Sequence, residues 1–563
     1  MLIKQKKELE NSIRNVISNL FPNIEIPPIF LERPKIKMHG DISTNIAMQI
    51  AKSLKINPLI VANDIRNLLI SNYQFNSSFE KIEVAKPGFI NFQLSLTAKL
   101  LVINLIEEEN FSYGYFPKIG KKILIEFVSA NPTGPLHVGH ARQAAIGDTI
   151  CNLYKAIGWD VTKEFYFNDS GNQIYKLAKS VQARAKGIMP DSDDYPLDGY
   201  KGNYINDIAI DFMNKKTIEI NNGSIVSSTG NIEDLNNIQE FSVAYMRHEQ
   251  DQDLKNFGII FDNYYMESDL YSVGYVEKTV QTIIKNGYTY ELDGALWLKT
   301  TQLGTGDDKD RVMRKSQGGG YTYFVPDVAY HQNKWDRGFQ YAINIQGSDH
   351  YGTVARVKAG LKALNRKIPS EYPFYILHKM VKVLQNGQEL KVSKRAGNYV
   401  TMNHLINLVG HDAARYFLVQ RKADTEFVFD INLALSKSDE NPVYYIQYAY
   451  ARICSLINKS NISNEKIKSG DIYLLSTPSE FLLLQRLSEF QQIVMQAAED
   501  LSPHKITSWL RNCASDFHVW YNSEKILDDN ESLMLARLRL AQAAKQVLFN
   551  GLSLIGVSAP EKM

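Results

Sequence analysis

The chain has 563 residues, 44% of them hydrophobic and 22% charged, and its 63 lysines and arginines against 61 acids leave a formal charge of +2. That length suits three to four domains of about 150 residues, and ample apolar content at near-zero charge excludes a disordered chain. No apolar run approaches the ~18 residues of a spanning helix, MLIKQKKELENS lacks a secretory apolar stretch, and Cys151, Cys454 and Cys513 lie too far apart for a disulfide framework. A cytoplasmic multidomain enzyme is expected.

Residues 1 to about 110 read as a mixed α/β unit. DISTNIAMQIAKSL is predicted as a helix with Asp41 and Ser43 as N-cap candidates, and KIEVAKPGFINFQLS as paired strands around a turn at Pro87-Gly88. A second unit, 111–404, opens with the β-branched run KKILIEFVSA, the loop NPTGP and a helix HVGHARQAAIGDTICNLYKAIG that closes at Gly158. WDVTKEFYFND then reads as a strand. Strand, Gly/Pro loop, helix and strand form the signature of a parallel sheet. An Asn/Gly/Ser/Asp-rich insertion with long loops is expected around 186–250, and strands at GALWLKT, YTYFVPDVAY and FQYAINIQGSDH. From 405 to 563 helical periodicity predicts an all-helical domain of five or six helices, with Leu483, Leu487, Phe490, Val494 and Ala497 marking one buried face.

The sharpest chemical signal is Ala130-Asn131-Pro132-Thr133-Gly134-Pro135-Leu136-His137-Val138-Gly139-His140. Pro132, Gly134 and Pro135 force the backbone out of the sheet. His137 and His140, three apart, share a face at the first turn of the next helix. Gly139 lets a flat ligand approach the backbone, and the helix N-terminus offers N–H groups to phosphates. A zinc pair fits poorly, since such histidines sit four apart around an acid. The second signal is Lys391-Val-Ser393-Lys394-Arg395-Ala-Gly397-Asn398, a cationic loop suited to closing on phosphates; alone it also fits a solvated surface loop.

HVGH resembles the HIGH signature, and KVSKR the KMSKS signature, of class I aminoacyl-tRNA synthetases. FVSANPTGPLHVGHARQAAIGD, HDAARYFLVQRKADTEFVFDINLA and NPVYYIQYAYARI are similar to arginyl-tRNA synthetases of the bacterial type, and DISTNIAMQIAK with KPGFINF resembles that family's N-terminal add-on domain. Val392 stands where the signature has Met. The resemblance implies a Rossmann-like catalytic domain (111–404), an α/β N-terminal tRNA-binding domain (1–110) and an all-α anticodon-binding domain (405–563). It implies ATP, accompanied by magnesium and without zinc, and arginine and its tRNA as partners; a monomer is the expectation because no segment is obviously self-complementary.

By the same resemblance His137, His140, Lys391 and Lys394 carry catalysis, and Gly134, Pro135, Gly139, Asp349, His350 and Ser393 join them around ATP. Arginine would meet Glu126, Ser129, Asn131, Tyr323, Asp327 and Gln346, because a guanidinium pairs bidentately with carboxylates. Glu126 sits in the apolar strand ILIEFV, where an unpaired carboxylate is costly. Asp327 also fits a turn after Pro326, and Asp349 also fits a helix cap. Tyr444, Tyr448 and Arg452 would stack on unpaired tRNA bases, although helically spaced tyrosines also suit a core. Phe89 and Asn91 would touch the tRNA elbow. The family habit implies arginine activation only with tRNA present. A catalytically dead tRNA-binding paralogue would be expected to have lost His137, His140 or Lys394; all three are present.

Overall fold

The computed structural model describes residues 2–34, 36, 39–72, 78–169, 171–220, 223–316, 318–390 and 400–563. Among them a five-stranded, wholly parallel sheet forms the centre, in the order Phe374–His378, Ala342–Gly347, Lys122–Glu126, Asp160–Phe167 and Asn263–Met266. Ile123, Leu124 and Ile125 are all buried, as expected for a strand covered on both faces. The chain fills one side of Lys122–Glu126 first and returns later on the other, so the order reverses between Lys122–Glu126 and Ala342–Gly347. Open α/β sheets bind ligands beyond the strand ends at such a switch point.

The helix Val138–Ala156 covers this sheet closely because residue 147 is glycine: a Cβ there would lie 2.3 Å from the Phe127 ring. Gly158, at φ +87°, ends the segment as predicted. Asp148 on this helix pairs with Lys163 and with Arg415, and the Arg415 Nε donates to the carbonyl of Ile555. Burial raises the Asp148 carboxyl, but the two cations hold it below its usual range.

YTYFVPDVAY is not a strand. Its second half opens the helix Phe324–Asp336, which buries Phe324, Val325, Val328 and Ala329. Its β-branched and aromatic residues favour a strand locally; burial at three-to-four spacing overrides that preference, and Pro326 falls in the first turn, where a missing N–H costs nothing. DISTNIAMQIAKSL is likewise split. Ile42–Thr44 pairs antiparallel with Phe89–Leu94, and the helix Ile46–Leu54 begins after Asn45. Asp41 accepts from the Leu94 N–H and pairs with Lys99 instead of capping. Phe79–Ala85 completes this three-stranded sheet around Pro87-Gly88.

The insertion is more ordered than its composition suggests. Helices Asn172–Ala185, Asn203–Met213 and Leu235–Asn256 share a core of Leu177, Val181, Ile208, Phe212 and Phe241, with a hairpin of Thr217–Glu219 and Ile225–Ser227. The stretch after 405 is not wholly helical: Phe427–Asp430 pairs in parallel with Val381–Gln385. The apolar face from Leu483 to Ala497 is built by two helices, Pro478–Ser488 and Phe490–Glu499.

One core runs from the parallel sheet into the C-terminal helices and takes in Leu100, Val102, Ile103 and Ile106 of the helix Leu96–Glu109. Glu107 pairs with Arg539, and Asn550 Nδ2 donates to the carbonyls of Asn110 and Tyr113. Removing residues 1–94 is therefore expected to leave a soluble protein, whereas removing 1–110 strips this shared core. Expression of both truncations followed by thermal melting checks it, and a soluble, cooperatively melting 1–110 deletion would contradict it.

Candidate active site

Glu126 ends its strand, and the backbone then bends through Val128 at φ +69° and Ser129 at φ +40°. Such conformations are rare for side-chain-bearing residues, rarest for a β-branched one, and cost on the order of 1–3 kcal/mol each. The loop leads to His137, which caps the helix Val138–Ala156. His137 Nδ1 accepts from the N–H of Gly139 at 3.1 Å and of His140 at 3.4 Å, and His140 Nδ1 accepts from the His137 N–H at 3.3 Å. With both Nδ1 atoms accepting, the neutral rings carry their protons on Nε2. The rings stack, centroids 3.7 Å apart. The space above Gly139 is taken by the His137 ring, since a Cβ would sit 2.9 Å from its Cε1.

Residues 391–399, with Lys391, Ser393 and Lys394, lie outside the described residues. The segment that follows them is paired with the histidine segment: the Met402 N–H donates to Leu136 O at 2.7 Å and the Val138 N–H to Val400 O at 3.1 Å. The chain is thus fixed beside the histidine segment from residue 400 onward.

A group of acids gathers beside the switch point. Glu126, 5% exposed, accepts from Lys334 Nζ at 2.6 Å on one oxygen and from Ser129 Oγ at 2.9 Å on the other. Lys334 is fully buried, also donates to Asn344, and lies 4.2 Å from the Tyr330 ring centre. Asp327, one helical turn before Tyr330, has its carboxyl pushed up to about 7 by burial and then by Glu126 and Glu267, with Lys334 opposing. Burial also raises Glu267, whose Oε2 accepts from the Tyr166 hydroxyl at 2.9 Å. Three carboxylates therefore share one low-dielectric region with one internal ammonium, a surplus of negative charge that a cation would relieve.

Lys334 and Glu267 escaped the sequence reading. Lys334 carried a signal, because positions 327, 330 and 334 fall on one helical face; Glu267 in YYMESDLY carried little. Gln346 lies half-buried on the strand neighbouring Glu126. Tyr323 is 75% exposed just before the helix of Asp327. Asn131 is exposed and gives its amide to Gln173 at 2.7 Å. Asp349 and His350 form an exposed turn after the strand Ala342–Gly347, and no side chain caps the helix Tyr351–Ala363. Both are close enough to perturb His378, which burial, aided by the Arg142 charge and opposed by a hydrogen bond to the Lys379 carbonyl, drives down to about 4.

Away from this centre, Tyr444 and Tyr448 stack at 6.1 Å, and the Arg452 guanidinium lies 5.3 Å from Tyr448 and 4.1 Å from Tyr521. Tyr450 is core. Phe89 and Asn91 line a groove of about 520 Å³ together with Phe30, Arg33, Ser43 and Lys86.

Three family profiles match the chain in order: the arginyl tRNA synthetase N terminal domain over 7–94, the tRNA synthetases class I (R) catalytic domain over 104–428, and the DALR anticodon binding domain over 446–563. The arginine–tRNA ligase of Bordetella petrii is 60% identical over 563 residues, covering all of both chains, and that of Janthinobacterium sp. is 50% identical over 581, again covering both. The arginyl-tRNA synthetase of Thermus thermophilus agrees in fold, with a TM-score of 0.77 at 20% identity over 99% of this chain and all of its own. This chain, matched end to end, belongs to the arginine–tRNA ligases, class I synthetases that activate arginine with ATP and load it onto tRNA.

Proposed function

We propose that the arginine guanidinium enters the acidic region and is held by Asp327, Glu126 and Glu267, with Ser129, Tyr323 and Gln346 around it and Asn131 toward its amino-acid end. The observation that carries this reading is the surplus of buried carboxylate over ammonium beside the switch point. ATP, as its magnesium complex, lies across the N-terminus of the helix Val138–Ala156 against Gly134, Pro135 and the His137 ring that covers Gly139, with Asp349 and His350 at its edge. The arginine carboxylate oxygen attacks the α-phosphorus in line, and pyrophosphate leaves. The Nε2–H groups of His137 and His140 donate to charge developing on the phosphate oxygens, while Lys391, Ser393 and Lys394 take the pyrophosphate side. The terminal tRNA ribose then displaces AMP from the adenylate.

Tyr444, Tyr448 and Arg452 form the anticodon-side stacking surface, and Phe89 and Asn91 meet the tRNA elbow in their groove. The working form is a cytoplasmic monomer of three units, the first ending near residue 94. The backbone pairing of 400–402 with 136–138 supports a coupling in which docked tRNA favours closure of the loop at 391–399, so that activation needs tRNA. Pyrophosphate exchange with each amino acid, with and without tRNA, tests the whole reading: exchange is expected with arginine alone, and only with tRNA.

His140→Ala is expected to lower the exchange rate about 10²–10³-fold with the Michaelis constant for arginine nearly unchanged. An unchanged turnover number removes the residue from the reaction. Arginine binds the ionised form of Asp327. With that carboxyl at about 7, kcat/KM for arginine rises with pH through neutrality and levels off above it. Asp327→Asn is expected to raise the Michaelis constant for arginine far more than that for ATP and to abolish the rise. A rise that survives the substitution takes Asp327 out of the pocket.

A further inference from the structure

We propose that the inserted helical unit is a splint for the histidine loop, and that Gln250 and Tyr204 are positioning residues for adenylate formation. The inference rests on the reading of His137 and His140 as donors to ATP. It starts from the backbone between Glu126 and His137. Val128 and Ser129 hold positive φ, and inside the segment the bonds are short-range: Ser129 N–H to Phe127 O and Thr133 N–H to Asn131 O. A conformation of this kind persists only where the surroundings over-determine it.

Ser129 Oγ donates to Glu126 and accepts from the Tyr166 N–H on the neighbouring strand, while residues 131–134, which carry the bend on to the histidines, are held by the insertion. Gln250 Nε2 donates to Asn131 O at 3.0 Å and to Gly134 O at 2.9 Å, spanning the turn like a staple. The Tyr204 hydroxyl donates to Thr133 O, between those two, at 2.8 Å. The Asn131 side chain donates to Gln173. Gln250 is 1% exposed, so its bonds compete little with water. The carbonyls of Asn131, Thr133 and Gly134 are thus held by two helices, Asn203–Met213 and Leu235–Asn256, and the Asn131 side chain by a third, Asn172–Ala185. Those helices share one core, so the grips move as one body. Beyond the loop, Leu136 and Val138 are bonded to residues 400–402. The histidines are therefore aimed by a clamp from the insertion on one side and by the strand pairing on the other. A displaced loop tilts the helix start and both Nε2–H donors away from the phosphates.

The test measures arginine-dependent pyrophosphate exchange with tRNA present for wild type, Gln250→Leu, His140→Ala and the double variant, after circular dichroism and thermal melting. Gln250→Leu keeps the side-chain bulk and removes both bonds. It is expected to lower kcat by about tenfold to a hundredfold, the scale of a misplaced catalytic group, with the arginine Michaelis constant within about twofold. In the His140→Ala background the same change is expected to cost less than about twofold further, because residues acting as one unit are not additive. An undiminished loss in both backgrounds, or no loss in the wild-type background, overturns the splint. No effect of His140→Ala itself overturns the histidine reading, and the splint with it. Where Gln250→Leu does not fold, Tyr204→Phe decides: the loss of one hydroxyl is expected to lower kcat severalfold, and an unchanged kcat overturns the inference.

Discussion

A buried carboxyl needs a counter-charge, hydrogen bonds or a proton, and this structure gathers buried Glu126 and Glu267 and half-buried Asp327 beside a single ammonium, Lys334. Lys334, itself fully buried, holds one oxygen of Glu126. Asp327 and Glu267 share the same region and both titrate above their ordinary range. In the folded chain alone, protonation relieves that imbalance, and under the proposed reading the arginine guanidinium takes the place of the proton. The same logic bears on specificity. A site built around unpaired buried charge rejects analogues without the guanidinium by leaving that charge stranded. No second, editing site is required for such discrimination.

The remaining architecture brings the histidine segment next to this acidic region. Strand pairing puts Glu126 and Gln346 on adjacent strands at the switch point, and the helix of Asp327 packs alongside. The loop after Glu126 leads in one continuous bend to the histidine cap. The helix below that cap is where three parts of the chain converge. The sheet meets it through Gly147, the C-terminal helices through Arg415 and Asp148, and residues 400–402 through Leu136 and Val138. Arg415 also binds the carbonyl at the end of the last long helix, so a shift in the helical domain has a short polar route to the helix that carries both histidines.

What the sequence made legible was what backbone chemistry imposes locally. Pro132, Gly134 and Pro135 announced the exit from the sheet, His137 and His140 the helix start, and Gly158 its end. Glu126 stood out because an acid inside ILIEFV demands an explanation. The misread segments share a cause. In YTYFVPDVAY and DISTNIAMQIAK local propensity pointed one way and tertiary burial or sheet pairing the other. The Asn- and Gly-rich composition of the insertion hid helices whose apolar residues are few but meet in one small core. Lys334 went unseen because its meaning depends on Glu126, 208 positions earlier, and Gln250 because it grips backbone carbonyls, which no motif records.

The most direct test of the central claim is calorimetric titration of the enzyme with arginine and with citrulline, its neutral isostere, near pH 7 in buffers of different ionisation heats. Arginine is expected to bind and to release a fraction of a proton as Asp327 ionises, whereas citrulline binds at least about a hundredfold more weakly. Equal affinities for the two ligands, or arginine binding with no proton release, would contradict a pocket held together by missing positive charge.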